Sequence, residues 1–253
     1  MYLWRRSASE KWLRDHETKL RAVAGDKLAV IERPNRKRLQ LEAASTSKIQ
    51  LETLGKKFGG RIQKLPKDWL KRLLRQKTKP IRVGTKWLLI PAGAAFGTGE
   101  HATTAMSLRL LEKVSRDLHR GWSLVDLGTG SGILALAARL LGAMSAIGID
   151  NDPIAISTAS KNARRNKIRG AQFRLGDVRR IKLPRATEVV TANLFSELLV
   201  GILPNLKRAH WLILSGILRK QEGEIRRALT RNKIDIVQAR RRGKWVAILA
   251  RRR

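Results

Sequence analysis

The chain has no cysteine among its 253 residues. That absence excludes disulfide bonds and thiolate metal sites. Four histidines occur (His16, His101, His119 and His210), and their spacing matches no metal-ligand pattern, so no metal is expected. Acids are scarce as well: 20 Asp and Glu stand against 54 Lys and Arg, a net charge of +34. No uninterrupted apolar run approaches the roughly 20 residues of a membrane span. The start, Met1-Tyr2-Leu3-Trp4-Arg5-Arg6, has no apolar core of signal-peptide length. These absences lead us to expect a soluble, cytoplasmic protein with no membrane contact; a monomer is expected as well. At 43% hydrophobic residues there is still enough apolar material for an ordinary core.

The positive charge is unevenly placed. Residues 1–80 hold 22 basic and 8 acidic side chains, residues 81–200 hold 17 and 9, and residues 201–253 hold 15 and 3. The flanks suit a polyanion such as a ribosome or rRNA, bound in a salt-dependent way. Solvated helix faces would account for the same composition.

Apolar spacing divides the chain into three parts. Over residues 1–65 it predicts a strand at Tyr2–Trp4, a helix from Ser9 to Val23 capped by Ser7 or Ser9, and a hairpin turning at Pro34-Asn35. A second helix from Ser47 to Phe58 closes at Gly59-Gly60, and a strand follows at Arg61–Leu65. The order βαββαβ is that of a ferredoxin-like α+β domain. Residues 66–80 are very basic and carry helical spacing at Trp69, Leu70, Leu73 and Leu74, which reads as a linker helix. Residues 81–253 open with a hairpin around Gly84 and then alternate. Strands are expected at 122–127, 145–150, 171–175, 187–193 and 210–215, with helices at 103–114, 132–142, 153–166, 196–208 and 217–232. A last hairpin turns at Arg242-Gly243. This is an α/β pattern: a Rossmann-like, seven-stranded sheet with one antiparallel strand inserted.

The densest motif is Val125-Asp126-Leu127-Gly128-Thr129-Gly130-Ser131-Gly132-Ile133, followed by Gly148-Ile149-Asp150. A dinucleotide fingerprint would read G-x-G-x-x-G, with backbone amides receiving a pyrophosphate. Here Ile133 stands where the last glycine would fall, and Asp126 precedes the turn. A carboxylate there suits a cationic ligand. S-adenosylmethionine has a sulfonium, an ammonium and no phosphate. Gly128, Gly130 and Gly132 would let the backbone approach it. Asp150, at the next strand end, can accept from both ribose hydroxyls. Asp177 in Leu175-Gly176-Asp177 can accept from an adenine amine. A second motif, Phe96-Gly97-Thr98-Gly99-Glu100-His101-Ala102-Thr103-Thr104, precedes a helix that Thr103 or Thr104 could cap. Such a loop, with Phe96, could close over a bound cofactor.

Those two motifs, with Gly148-Ile149-Asp150-Asn151-Asp152-Pro153, Ala192-Asn193-Leu194 and Leu214-Ser215-Gly216-Ile217-Leu218 following in that order, resemble the PrmA family. Its members methylate the eleventh protein of the large ribosomal subunit. Related enzymes that methylate other protein lysines share much of the pattern. The resemblance covers about residues 66–253. It implies cofactor contacts at Thr104, Gly128, Asp150 and Asn193, and an N-terminal domain that docks the protein substrate. Ala102 stands where the family usually has proline.

Asn193 ends a strand, where reactive groups gather in open α/β sheets. Its amide could orient an attacking amine. Leu194-Phe195 lacks the Pro-Pro-aromatic sequence of enzymes acting on planar nitrogens, which favours an aliphatic amine. His101 is a second catalytic candidate, as a base or as a loop-positioning residue. Trp87, Trp122 and Trp211 are expected in the core. The leading expectation is an AdoMet-dependent protein-lysine or N-terminal amine methyltransferase. An RNA methyltransferase and a ribosome-binding factor with a vestigial pocket are the alternatives.

Overall fold

The computed structural model describes residues 1–24, 28–31, 38–66, 80–91, 99, 101–206 and 208–253. The chain divides into two units, Met1–Arg75 and Gln76–Arg253. The Pro34-Asn35 turn and most of the linker expected at 66–80 lie outside the described residues.

The first unit runs β1 (Tyr2–Ala8), α1 (Glu10–Ala24), β2 (Leu28–Ile31), β3 (Leu39–Ser45), α2 (Lys48–Phe58) and β4 (Arg61–Lys64). The sheet order is β2-β3-β1-β4, and every neighbouring pair is antiparallel. Each strand's α-helical crossover skips one place, which is the arrangement of a split βαβ unit. Local chemistry explains the boundaries. The Ser9 hydroxyl accepts the Trp12 N–H at 3.1 Å and opens α1. Along β3, Leu39, Leu41, Ala43 and Ser45 are buried in strict alternation. After α2 the chain must pass against Trp4, whose indole donates to the Gly59 carbonyl at 2.8 Å. A Cβ on Gly60 would sit 2.8 Å from both the Arg5 carbonyl oxygen and the indole nitrogen, at φ +102°. Only glycine fits there.

The second unit opens with a hairpin, β5 (Ile81–Val83) and β6 (Lys86–Leu88). It continues through α3 (Ala102–Val114), β7 (Ser123–Leu127), α4 (Ile133–Leu140), β8 (Ser145–Asp150), α5 (Pro153–Arg165) and β9 (Ala171–Leu175). Then come β10 (Val189–Asn193), α6 (Ser196–Ile202), β11 (Trp211–Leu218), α7 (Glu222–Arg231), β12 (Ile234–Arg242) and β13 (Trp245–Arg252). One seven-stranded sheet has the order β12-β13-β11-β10-β7-β8-β9. Pairs within β11-β10-β7-β8-β9 are parallel, and β13 is antiparallel to both its neighbours. The expected α/β sheet is therefore present. Buried side chains form one apolar layer on each face. Leu110, Leu136 and Ile213 belong to the first layer, and Leu127, Ile202 and Leu214 to the second.

Two expectations fail here. The helix expected at 217–232 begins only at Glu222, because β11 runs on past a bulge and pairs Ile217 with Val246 and Leu218 with Trp245. Gly216, at φ +84°, carries the strand through that irregularity rather than ending it. Trp87 is 65% exposed, not core. Its hairpin has only two strands, and alternation gives Leu88 to the interior and Trp87 to solvent. Trp122 is buried as expected; Trp211, also expected in the core, is half-buried and packs against it.

Candidate active site

The sheet order reverses between β7 and β10, both of which leave the sheet at the same edge. At such a switch point the loops diverge and a crevice opens beyond the strand ends. A cavity of about 730 Å³ lies there. Its wall includes Gly128 and Gly130 from the turn after β7, Asp150 from the end of β8, and Asn193 from the end of β10. The volume is that of an ordinary small-molecule site.

The glycine turn is shaped from behind. Gly128 and Thr129 donate their N–H groups to the Ile149 carbonyl at 2.8 and 3.0 Å, which fastens the turn to β8. Gly128 has φ +69°, and a Cβ there would lie 2.4 Å from the Leu194 side chain. Asp126 is 1% exposed and does not line the cavity. Its carboxylate accepts the hydroxyls of Thr129 and Thr191, each at 2.6 Å. Burial pushes its pKa up to about 6; the two hydroxyls oppose that shift, and the neighbouring Asp150 charge adds to it. Gly132 also stands off the wall. It starts α4 at φ +81°, and the Ala159 Cβ and the Phe173 ring leave no room for a side chain. The three glycines thus divide: Gly128 and Gly130 face the crevice, and Gly132 closes the packing behind it.

The Asp150 carboxylate accepts the N–H groups of Gly130 at 2.9 Å and Asp152 at 3.1 Å. Its oxygens are thereby aimed across the mouth of the turn. Asp177 faces the same cavity. Its carboxylate is gripped by the Arg179 guanidinium at 3.0 Å and the Arg179 N–H at 3.0 Å, which hold its pKa below the ordinary value. Among the described residues, the acids on the wall are Asp150, Asp152 and Asp177, and Arg179 is its one lysine or arginine. An acid-lined crevice in a chain of net charge +34 is a selective feature, not an average of the composition.

Asn193 is oriented by α3. Its amide nitrogen donates to the Thr103 and Thr104 hydroxyls at 3.2 and 3.5 Å. The carbonyl oxygen is the end of the side chain left to the crevice. Thr104 is buried and off the wall, while Thr103 contributes to it. The cap of α3 is His101, not either threonine: its Nδ1 accepts from the Thr103 N–H at 3.4 Å and meets the Thr103 hydroxyl at 2.7 Å. Both of these Nδ1 contacts fall on Thr103, the residue that also holds the Asn193 amide. This geometry ties the imidazole to the start of α3 and supports a positioning role. The His101 ring also meets the Trp245 ring edge to face at 5.2 Å. Phe96 lies outside the described residues.

Sequence reasoning did not single out Trp245, Leu198 or Gly216, all on the wall. Trp245 arrives on an antiparallel strand far along the chain, and no local pattern announces it. Gly216 carried a signal: it sits in the Leu-Ser-Gly-Ile-Leu segment, where a Cβ would lie 2.3 Å from the Leu194 carbonyl oxygen. Among the described residues no helix is long and apolar enough to cross a membrane, and no group of three or more potential metal ligands is gathered.

Comparison with known proteins agrees with this geometry. The sequence model of the ribosomal protein L11 methyltransferase (PrmA) family matches residues 42–253. A relative named ribosomal protein L11 methyltransferase from Desulfosudis oleivorans is 39% identical over 171 residues, 63% of this chain and 54% of that protein. One of the same name from Symbiobacterium thermophilum is 37% identical over 197 residues, 68% of this chain and 62% of that protein. The chain thus spans little more than half the length of these relatives. A crystal structure of ribosomal protein L11 methylase from Lactobacillus delbrueckii subsp. bulgaricus superposes with a TM-score of 0.55 at 30% identity, covering 63% of this chain and 82% of that one. With the family pattern running through every wall of the crevice, from α3 to β13, the chain belongs to the ribosomal protein L11 methyltransferase (PrmA) family.

Proposed function

We propose that this protein transfers methyl groups from S-adenosylmethionine to lysine or N-terminal amines of a ribosomal protein, of the kind named for its relatives. The observation that carries the reading is the acid-lined crevice at the strand ends of an otherwise strongly basic protein. A phosphate-bearing dinucleotide would meet Asp150, Asp152 and Asp177; a cationic nucleoside is attracted by them. The residues present fit such a cofactor. Asp150 would hold the ribose hydroxyls, the Gly128–Gly130 backbone would lie against the amino-acid portion, and Asp126 would place a negative charge behind the turn. Asp177, both of whose oxygens accept from Arg179, would reach an adenine amine through a remaining lone pair.

When bound, the cofactor supplies an activated methyl group for in-line displacement by a neutral amine. The protein's own task is alignment and exclusion of water. A free lysine amine has a pKa of about 10.4. A half-apolar crevice walled by Leu194, Phe195, Leu198 and Trp245 disfavours its charged form. The Asn193 carbonyl oxygen would accept one amine hydrogen and so direct the nitrogen lone pair away from it. Thr103 and His101 fix that amide.

We further propose that residues 1–65 dock the protein substrate and that the basic flanks concentrate the enzyme on ribosomal RNA without sequence preference. Incubation with methyl-labelled S-adenosylmethionine and purified ribosomal particles tests the reading. Label is expected in a ribosomal protein, on lysine or a terminal amine. Label confined to rRNA would replace the proposal with RNA methylation. A protein that neither binds S-adenosylhomocysteine nor transfers label would be a binding factor.

A further inference from the structure

The tip of the β12–β13 hairpin carries Arg240, Arg241, Arg242 and Lys244, all exposed. Strand alternation divides the arginines between two faces. Arg241 turns toward α7, where Glu222 accepts its Nε at 2.8 Å and its guanidinium closes on the same carboxylate at 2.5 Å. Arg240 and Arg242 share the opposite face. It is the α3 face: Gln238, on the same side, accepts from the Lys113 ammonium at 2.9 Å. Ala247, the cross-strand partner of Arg240, is buried in the α3 layer. Arg242 is the cross-strand partner of Trp245, whose ring walls the crevice. Arg219 belongs to the same corner, because its N–H donates to the Lys244 carbonyl at 2.9 Å. Arg219 and Lys220 are exposed.

Among the described residues no carboxylate pairs with Arg219, Lys220, Arg240 or Arg242. Glu222, in this corner, is already held by Arg226 and Arg241, and Glu197 accepts from Gln221. Cations on an edge strand such as β12 discourage edge-to-edge pairing. That role does not call for Arg219 and Lys220, which lie off the strand.

We propose that this corner docks the phosphate backbone of an RNA at the rim of the crevice. Arginine forks bind phosphate oxygens in pairs. Two residues apart on one face of a strand places Arg240 and Arg242 ~7 Å apart, a step comparable to that between successive phosphates of a nucleic-acid strand. A linear polymer with one charge per step fits such a row better than an acidic protein surface does. The proposal does not rest on the methyl-transfer reading, and its test involves no methyl transfer.

The test uses the full chain and a fluorescein-labelled 20-nucleotide oligouridine, with anisotropy titrations over a range of KCl. The triple variant Arg219→Gln, Arg240→Gln, Arg242→Gln is compared with Lys161→Gln, Arg164→Gln, Arg165→Gln, which removes the same charge from the exposed side of α5. The corner variant is expected to lower the slope of log K against log salt by about 2, at ~0.7 per phosphate contact on a single strand. The α5 variant is expected to change it little. Equal losses in both would show that net charge alone binds RNA and would overturn the proposal. So would an unchanged slope in the corner variant. Poly-glutamate that displaced the RNA at matched charge would point to an acidic protein instead. Far-UV circular dichroism checks that each variant is folded. The single variants Arg240→Gln and Arg242→Gln, each expected to lower the slope by ~0.7, decide the matter if the triple is not.

Discussion

Replacing Asp126 by asparagine should make the protein more stable and a worse binder of its cationic donor. The carboxylate is 1% exposed, so solvent does not screen it. Its pKa rises from 3.8 to about 6, with burial the largest cause. At about 1.36 kcal/mol per unit, roughly two units correspond to about 3 kcal/mol. The sign follows from linkage. As pH rises from 4 to 6, the unfolded chain releases this proton while the folded protein still holds it. Folding therefore loses stability across that window and gains none back above it. An asparagine side chain cannot titrate, and its amide can still accept from one threonine hydroxyl and donate to the other. The stability of Asp126→Asn minus that of the unaltered protein should rise by about 2.5 kcal/mol between pH 4 and pH 7, the remainder lying below pH 4. Groups such as Glu222 and His119, whose surroundings are unchanged, cancel in the difference. Urea unfolding at four pH values, read by hydrogen exchange in the 123–140 segment, reports the second unit alone. Calorimetry should show S-adenosylmethionine losing more affinity than S-adenosylhomocysteine, which lacks the sulfonium charge. Parallel stability curves for the two proteins would refute the buried-anion argument. An unchanged preference between the two ligands would refute the electrostatic role behind the turn.

The other predictions concern the walls of the crevice. Asp150→Ala strips the Gly130 and Asp152 N–H groups of their acceptor along with the ribose; S-adenosylhomocysteine affinity should fall at least tenfold by calorimetry, and an unchanged value would remove Asp150 from the site. Gly128→Ala and Gly216→Ala should each cost about 1–3 kcal/mol, from positive φ and a close approach. The two should respond differently to Leu194→Ala, measured as melting temperature. Gly128→Ala is relieved, because its clash is with the Leu194 side chain, and Gly216→Ala is not, because its clash is with the Leu194 backbone. Asn193→Ala should reduce kcat for methyl transfer by roughly 10²-fold, as a lost positioning contact does, with S-adenosylhomocysteine affinity changed far less; equal losses in both would make Asn193 a binding residue only. Deleting residues 1–65 should preserve cofactor affinity and abolish transfer to the protein substrate, and full transfer without them would place docking elsewhere.

Sequence alone determined the elements and the chemical type of the ligand site. Periodicity is a local property, so the order of the strands and helices and the turn chemistry of Gly59, Gly84 and Gly243 could be read directly. The spacing of Asp126, Gly128, Gly130 and Asp150 was legible for the same reason: one strand-turn-helix-strand unit brings them together over a short stretch. What lies on the wall and what lies behind it was decided by tertiary structure. Asp126, Gly132 and Thr104 are close in sequence to wall residues, yet packing turns them away from the crevice. Trp245 reaches it through long-range strand pairing that no local pattern encodes, and the motif that holds Gly216 did not show that it would face the crevice. His101 reads in sequence as a possible base, and only the fold shows that its ring caps α3 and meets Thr103. Trp87 reads as core, and only the shortness of its two-stranded hairpin leaves it in solvent. In each case the deciding quantity is which face of an element meets a distant part of the chain, and that is fixed by burial and hydrogen bonding across the fold.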